Sequence, residues 1–262
     1  MRTFSKTSRS HDRSVSATDS VTDSVTVSLT VSLTDFNRAV TKNKTVTEHI
    51  EEESVTERIV TQIRDKIICG DLSPGTPLTE ADLTKAYDVS RNTLREALRQ
   101  ICREGLAVHY RHRGVVVRTL TRTDVRDIFR VRRTLELQAL AMPGKTDPPD
   151  PAVLRAMAAA CDAAAQAASQ EDWRSVGTHS LRFHQHIVEM IGSALLDQFF
   201  RTILAQLRLL FSAAPDERRF QLPWIERDRE LYDLIVAGEH KRASKKLTDY
   251  LDRSEEALID LL

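Results

Sequence analysis

The strongest constraint on the fold comes from two helical segments and an alternating stretch that follow one another within residues 79–120. The first segment is only about two turns long, and the second begins after Ser90, a residue type that favours the N-cap position. Gly105 follows the second segment, where helices favour a left-handed residue. Residues 106–120 are β-branched and alternate around a polar tip, which predicts a β-hairpin. The predicted order is therefore helix, tight turn, helix and hairpin.

Further helices are predicted on both sides of this pattern. Ser54 and Glu57 have the spacing of a capping box at the start of a helix whose apolar stripe is Val55, Ile59, Ile63 and Ile67. In the short helix, Leu83 and Ala86 are predicted to face the core. Residues 121–262 are helical in pattern almost throughout, with breaks that fit a bundle of about six helices. The predicted fold class is therefore mainly α.

The chain divides into three parts by its composition. Residues 14–35 are biased towards Ser, Thr, Val and Asp and contain no aromatic side chain, so residues 1–50 are predicted to be a disordered tail without an assigned function. The same alternation also suits a strand, and a start codon assigned too far upstream would produce a similar sequence. Two domains are predicted after the tail: a winged helix-turn-helix at 51–120 and an antiparallel helical bundle at 121–262. Within the first domain, the helix-turn-helix is predicted at about 79–98 and the wing at about 107–118.

The overall composition excludes several classes of protein. Lysine plus arginine equals aspartate plus glutamate, 38 each, so any basic surface must be local. The three cysteines are far apart and lack metal-ligand spacing, which is typical of reduced thiols in a cytoplasmic protein. No run of about 18 apolar residues occurs, so no membrane span is expected. No spacing suits a nucleophile with its base, a closed metal site or a phosphate loop, so no enzyme is expected.

The second helix of the predicted pair has a basic face. At 100° per residue, one stripe holds Arg91, Arg95, Arg99 and Arg103, and another holds Leu94, Ala97, Leu98 and Ile101. Between Arg91 and Arg118 there are seven arginines and two glutamates. An arginine stripe alone is more often a solvated face, but here a short capped helix precedes it and a basic hairpin tip follows it. The combination indicates a nucleic-acid partner.

Residues 54–120 resemble the DNA-binding domain of the GntR family of bacterial regulators. The resemblance rests on Gly70-Asp-Leu-Ser-Pro-Gly75, Leu78-Thr-Glu80, Leu83, Val89-Ser-Arg-Asn-Thr-Leu-Arg-Glu-Ala-Leu98, Glu104-Gly-Leu106 and Arg113-Gly114. It implies DNA contacts by the helix residues Ser90, Arg91, Thr93 and Arg95 and by the wing residues Arg111, Arg113 and Gly114. Asn92 is a further candidate because its amide group lies in the same N-terminal turn and can bond phosphate oxygens or base edges. Some relatives have an arginine where this chain has Ala81, so one contact to a base or phosphate would be absent here.

Residues 121–262 resemble the helical C-terminal domain of the FadR subfamily, called FCD. The residues that carry this resemblance are Asp124-Val-Arg-Asp-Ile-Phe-Arg-Val-Arg132, Leu135-Glu136, Phe183-His184 and Gly238-Glu239. Many FCD domains hold a divalent metal through an aspartate and three histidines, and the matching positions here are Ser180, His184, Asp228 and Tyr250. Because His184 and Asp228 alone do not make a closed metal site, no metal and no other cofactor is expected. His179 and His186 are interpreted as surface histidines, since His184 lies about 140° away from them on a helix.

The same four positions and Arg132 form the candidate effector pocket that this resemblance implies. Alternatively, His184 and Tyr250 are satisfied core residues, and Arg132 forms only an intrahelical ion pair with Glu136, four residues later. The latter reading of Arg132 is favoured. The expected effector is an organic acid or another metabolite.

The sequence as a whole predicts a ligand-responsive transcriptional regulator that binds a specific DNA sequence. The resemblance implies a repressor that acts as a homodimer on a short inverted repeat. The alternative function is a helical interaction module whose basic winged segment binds nucleic acid without sequence specificity.

Overall fold

The computed structural model describes residues 54–141, 149–211, 214 and 216–262, so the predicted tail at 1–50 lies outside the described residues. Within those ranges the first part of the chain contains α1 (Val55–Ile68), α2 (Glu80–Tyr87), α3 (Arg91–Arg103), β1 (Ala107–Tyr110) and β2 (Gly114–Val117). The second part contains α4 (Arg122–Ala141), α5 (Pro151–Ser169), α6 (Trp173–Glu189), α7 (Ala194–Phe211), α8 (Glu217–Val236) and α9 (His240–Asp260). The mainly α fold class and the six helices of the second part are confirmed. No helix of the described part is long and apolar enough to cross a membrane.

Helix α1 packs its apolar face against α3. Its N-cap forms as predicted, since the Ser54 side chain accepts a hydrogen bond from the backbone N–H of Glu57. The buried residues of the two helices are Ile59, Val60, Ile63, Ile67, Leu94, Ala97, Leu98 and Ile101. The prediction was wrong for Val55, which is 43% exposed, because it begins the helix one turn before the buried face starts.

Helix α2 packs on α3 and contains no fully buried residue. Leu83 and Tyr87 are half-buried against the core, whereas Ala86 is exposed, which corrects its predicted burial. A helix of eight residues covers little surface, and only one side of α2 meets the rest of the domain. Asp88 ends the helix in the left-handed conformation, with φ of 52°.

The predicted hairpin is an antiparallel pair of strands in which Ala107 lies opposite Val117 and Tyr110 lies opposite Gly114. Gly114 has φ of +71°, a conformation that costs other residues about 1 kcal/mol or more, so it turns the chain into the second strand. Pro77 adds an isolated bridge to Val116. The hairpin therefore projects a tip of exposed residues, 111–113, away from the core.

Helix α6 lies at the centre of the second part and contacts α4, α5, α7 and α8. Its surroundings explain why most of its residues are buried, including the polar residues Thr178, Ser180, His184 and Gln185. Helix α9 packs along α4 and α8 and closes the bundle. Helix α7 also contacts α1, so the two parts pack together within one compact unit, residues 53–262.

Candidate nucleic-acid interface and buried polar cluster

The arginine stripe of α3 is exposed, but its members differ in their partners. Nε of Arg95 donates to Glu80, while Arg99 and Arg103 share Glu96, at N–O distances of 3.1 and 3.3 Å. These pairs are exposed, so each contributes little to stability. Among the described residues, Arg91 has no hydrogen-bond or ion-pair partner for its side chain. It is therefore the arginine of the stripe in which no nitrogen of the guanidinium pairs with a described residue, so the whole group can bind a phosphate or a base.

The first turn of α3 presents polar groups beside Arg91. Ser90 caps the helix, because its hydroxyl accepts from the backbone N–H of Thr93 at 3.1 Å. The two hydroxyls also lie 2.9 Å apart, and Asn92 is exposed between them. The N-terminal end of a helix attracts anions, so this turn suits a DNA phosphate.

The tip of the hairpin carries a second group of free cations. Arg111 and Arg113 are exposed, and their side chains pair with no described residue. In contrast, Arg118 pairs with Asp124 at 2.6 Å, close to the start of α4. The tip, and not the base of the hairpin, is therefore available to a partner such as DNA.

The predicted effector-pocket residues lie together inside the helical bundle. Nε of Arg132 donates to Oε1 of Glu136 at 2.7 Å, and Oε2 of Glu136 lies 2.6 Å from Nδ1 of His184. All three side chains are almost completely buried. The predicted intrahelical ion pair of Arg132 thus forms within α4. Its carboxylate partner, Glu136, also contacts His184 of α6, and the spacing along α4 does not show this contact.

The chain of contacts continues on the other side of His184, where its Nε2 lies 3.7 Å from Oδ1 of Asp228. The Ser180 and Tyr250 hydroxyls lie 3.4 Å apart, and the Tyr250 ring lies against the His184 ring. We call the set Arg132, Glu136, Ser180, His184, Asp228 and Tyr250 the buried polar cluster. Atoms of the cluster without a hydrogen-bond partner in the described chain are Nη2 of Arg132, Nε2 of His184 and Oδ1 of Asp228.

Burial and neighbouring charges shift the pKa values of the two acids in opposite directions. Burial raises the pKa of Asp228 to about 6, against the smaller effects of His184 and the Ser180 and Tyr250 hydroxyls. Burial also opposes ionisation of Glu136, but the Arg132 guanidinium and the His184 ring lower its pKa below the usual value. Of the two carboxyls, Glu136 is therefore the stronger acid, and Asp228 is the one that gains or loses a proton near pH 6.

The cluster does not fit a divalent metal. Glu136 and Asp228 approach opposite nitrogens of the same His184 ring, so the three groups do not converge on one point. No group of three or more metal-ligating side chains is arranged around a common centre in the described ranges. His179 and His186 are half-buried on α6, and Nδ1 of His186 lies 2.6 Å from Glu189, away from the cluster. The absence of a bound metal remains an expectation.

Side chains of the helical bundle hold the C-terminal end of α1. The Ile68 carbonyl accepts from Thr178 and from Nε of Arg208, both at 3.1 Å, and the Cys69 carbonyl accepts from Arg174 at 2.8 Å. The last carbonyls of a helix have no partner within the helix, so these donors satisfy groups that would otherwise need water.

The C-terminal end of α3 is held in a similar way. Nε2 of Gln206 donates to the Glu104 carbonyl at 2.6 Å, while the Glu104 side chain pairs with Arg64 of α1 at 2.7 Å. We call Arg174, Thr178, Gln206 and Arg208 the joint. The joint was not predicted from the sequence, although Gln206 and Arg208 interrupt the apolar run of α7, and such an interruption indicates a specific polar contact.

Two family descriptions match this chain. Residues 55–117 match the bacterial regulatory proteins of the gntR family, and residues 127–253 match the FCD domain. The crystal structure of a GntR transcriptional regulator from Rhodococcus sp. RHA1 is similar, with a TM-score of 0.71 and 34% sequence identity, over 78% of this chain and 97% of that chain.

Curated relatives match over different lengths. The galactonate operon transcriptional repressor of Escherichia coli (strain K12) is 24% identical over 197 residues, 69% of this chain and 86% of the repressor. An uncharacterised HTH-type transcriptional regulator of Bacillus subtilis (strain 168) is 33% identical over 81 residues, and the match spans only 36% of its length. These relatives are regulators and not enzymes. The chain therefore belongs to the GntR family of bacterial regulatory proteins, and its C-terminal part is an FCD domain as in the FadR subfamily.

Proposed function

We propose that the protein is a transcriptional repressor that binds a short inverted repeat as a homodimer and responds to a small molecule. The observation that carries the DNA-binding part is the pair of free cationic surfaces on one winged domain, Arg91 on α3 and Arg111 with Arg113 on the hairpin tip. In winged helix-turn-helix proteins these two elements approach the major groove and the neighbouring backbone. The galactonate operon relative, named a repressor, supports repression.

The buried polar cluster supports a small-molecule effector. Buried polar atoms are nearly always hydrogen-bonded, but Nη2 of Arg132 has no partner in the described chain, and Nε2 of His184 and Oδ1 of Asp228 lie 3.7 Å apart, too far for a hydrogen bond. These atoms favour a polar occupant. Nη2 of Arg132 suits an acceptor such as the carboxylate of an organic acid, and Oδ1 of Asp228 suits a hydroxyl donor. Tyr250 also lines a cleft of about 510 Å³ between residues of α8 and α9, which is the outer surface nearest to the cluster that we infer an effector would cross.

Helix α6 supplies a physical link between effector and DNA. It carries Ser180 and His184 of the cluster and, within about three turns, Arg174 and Thr178 of the joint. A ligand that displaces α6 would therefore act directly on the C-terminal end of α1, which packs against α3. We infer that effector binding changes the placement of the winged domain and, by linkage, that DNA changes the affinity for the effector.

Titration with DNA tests the proposed function. Full-length protein is titrated with the region upstream of its own gene and with a scrambled duplex, each at low and high salt. We expect selective binding that weakens as salt rises, because phosphate contacts release counterions. Arg91→Ala should weaken binding about tenfold, whereas the control Arg155→Ala, an exposed arginine on α5, should leave it unchanged.

The outcomes separate the two candidate functions. Equal, salt-sensitive affinity for both duplexes would contradict sequence-specific regulation and would favour the non-specific nucleic-acid module. Loss of binding in Arg155→Ala as large as in Arg91→Ala would show that net charge, and not the α3 surface, determines binding.

A further inference from the structure

An exposed carboxylate lies on the surface where we propose that DNA binds. Glu80 is the first residue of α2, and both of its carboxylate oxygens accept from Nε of Arg95, at 2.9 and 3.0 Å. A carboxylate near the phosphate backbone weakens DNA binding, because like charges repel. The position of Glu80 is therefore unfavourable for binding DNA of any sequence, unless the carboxylate contributes to recognition in another way.

Arg95 is held differently from the other paired arginines of its stripe. Arg99 and Arg103 donate to Glu96 through their terminal Nη atoms. Arg95 donates through its inner Nε, and neither of its terminal nitrogens bonds to a described residue. The guanidinium is thus held through Nε, while the N–H groups of its two terminal nitrogens remain free, and the side chain is about half exposed to solvent.

A guanidinium held in this way suits one base. The donors of an arginine fork match O6 and N7 of guanine in the major groove, which is the commonest specific contact in protein–DNA complexes. Because Glu80 restricts the rotamers of Arg95, less conformational entropy is lost when the fork binds. Arg95 lies in the second turn of α3, within the N-terminal half that enters the groove in helix-turn-helix proteins.

The charges around Glu80 keep it ionised. The hydrogen bond from Arg95 lowers the pKa of Glu80, and the charges of Arg95, Arg91 and His109 act in the same direction, against a smaller effect of burial. The carboxylate is therefore ionised at neutral pH and pairs with Arg95.

We propose that Glu80 is a positioning residue for sequence readout, which orients Arg95 so that its fork binds a guanine in each half-site. This inference rests on the proposed DNA binding and adds to it the class of base pair, G·C, and the residue that determines its recognition. In this proposal, the ability to distinguish one base pair from another depends on Glu80, whereas the overall affinity for DNA does not. Removing the carboxylate weakens discrimination at one base pair, while attraction to phosphates stays the same or increases.

Selection from random DNA provides the test. Full-length wild type, Glu80→Gln, Arg95→Ala and the double variant each select sites from duplexes randomised over about 20 base pairs, a length that spans two half-sites. Each base pair of the wild-type site is then substituted, and the affinities are measured. Glu96→Gln is the matched control, because it also removes a carboxylate that pairs with the arginine stripe of α3, but one that lies on α3 itself and pairs with Arg99 and Arg103. Circular dichroism verifies that every variant is folded.

The expected result is a loss of discrimination at a single G·C pair. Glu80→Gln should lower it on the order of tenfold, bind unrelated DNA at least as tightly as wild type, and lose nothing further when Arg95→Ala is added. Glu96→Gln should keep wild-type discrimination at that pair.

Three results would overturn the inference while leaving the proposed function intact. They are full discrimination in Glu80→Gln, an equal loss of affinity for all sequences, and effects of Glu80→Gln and Arg95→Ala that simply add. If the wild type selects no site, the proposed function itself fails and this inference fails with it.

Discussion

Replacing Glu136 by leucine tests whether charge pairing holds the buried polar cluster together. Glu136 is fully buried, with Arg132 Nε at 2.7 Å and His184 Nδ1 at 2.6 Å. Glu136→Leu leaves the Arg132 guanidinium, whose side chain is 2% exposed, without a carboxylate partner. Removing one member of a buried ion pair costs about 3–5 kcal/mol, so we expect the free energy of unfolding to fall by that amount.

A double variant separates the lost charge pairing from lost packing. In Arg132→Met with Glu136→Leu, both charges leave together and apolar side chains of similar volume take their place. We expect this variant to cost only about 1 kcal/mol, mainly because His184 loses a hydrogen bond. Arg132→Met alone leaves Glu136 bonded to His184 and should cost about 2–3 kcal/mol. The two single losses together should then exceed the double loss by about 4 kcal/mol or more.

Urea unfolding at neutral pH, followed by circular dichroism, measures these free energies. The matched control is the exposed pair Asp127 and Arg130 on the same helix, in which Nη1 of Arg130 lies 2.5 Å from Oδ1 of Asp127. These two residues are three apart in the sequence, whereas Arg132 and Glu136 are four apart. The corresponding variants, Asp127→Leu and Arg130→Met, should couple by less than about 0.5 kcal/mol, because water screens the pair. If the losses at Arg132 and Glu136 add to within about 0.5 kcal/mol, the cluster is not held together by charge pairing, and the reasoning is refuted.

Two further predictions concern the cluster and the joint. Burial raises the pKa of Asp228 from 3.8 to about 6. Between these pH values the folded state therefore binds more protons than the unfolded state. As the pH rises from about 4 to 6, this residue should lower the free energy of unfolding by about 3 kcal/mol. Urea unfolding across that range should show a weaker fall in Asp228→Asn, and equal slopes would contradict the prediction. Gly70→Ala should destabilise the protein more than Gly75→Ala, although both glycines have positive φ. A Cβ atom at Gly70 would lie 2.5 Å from Nη2 of Arg208 and 2.9 Å from Nε of Arg174, whereas a Cβ atom at Gly75 would have no neighbour within 4 Å. Equal losses in the two variants would show that only backbone strain, and not contact with the joint, matters at Gly70.

Local signals in the sequence predicted the elements of the winged domain well. The cap at Ser90, the break at Asp88 and the left-handed Gly105 act over a few residues, so each can be recognised without knowledge of the rest of the chain. Helical periodicity predicted burial wrongly at Ala86, which lies in a short helix, and at Val55, which is the first residue of its helix. The burial of such residues depends on which neighbouring element covers them.

The positions of the cluster residues came from family resemblance, but their roles depend on contacts between distant helices. The spacing of Arg132 and Glu136 indicates an ion pair, yet only the packing of α4 on α6 brings His184 to the same carboxylate. Similarly, Glu80 and Arg95 are 15 residues apart, and their contact requires the crossing of α2 and α3.

The order of the helices, the hairpin and the basic face of α3 could be predicted from the sequence, because caps, turns and periodicity are local properties of the chain. The family could be predicted as well, from residues close together in the chain. Three properties became visible only in the folded chain: which arginines are free, which charges are buried, and how Thr178, Gln206 and Arg208 hold the ends of α1 and α3. Burial and hydrogen bonding depend on residues that are far apart in the sequence, so these properties exist only once the helices have packed together.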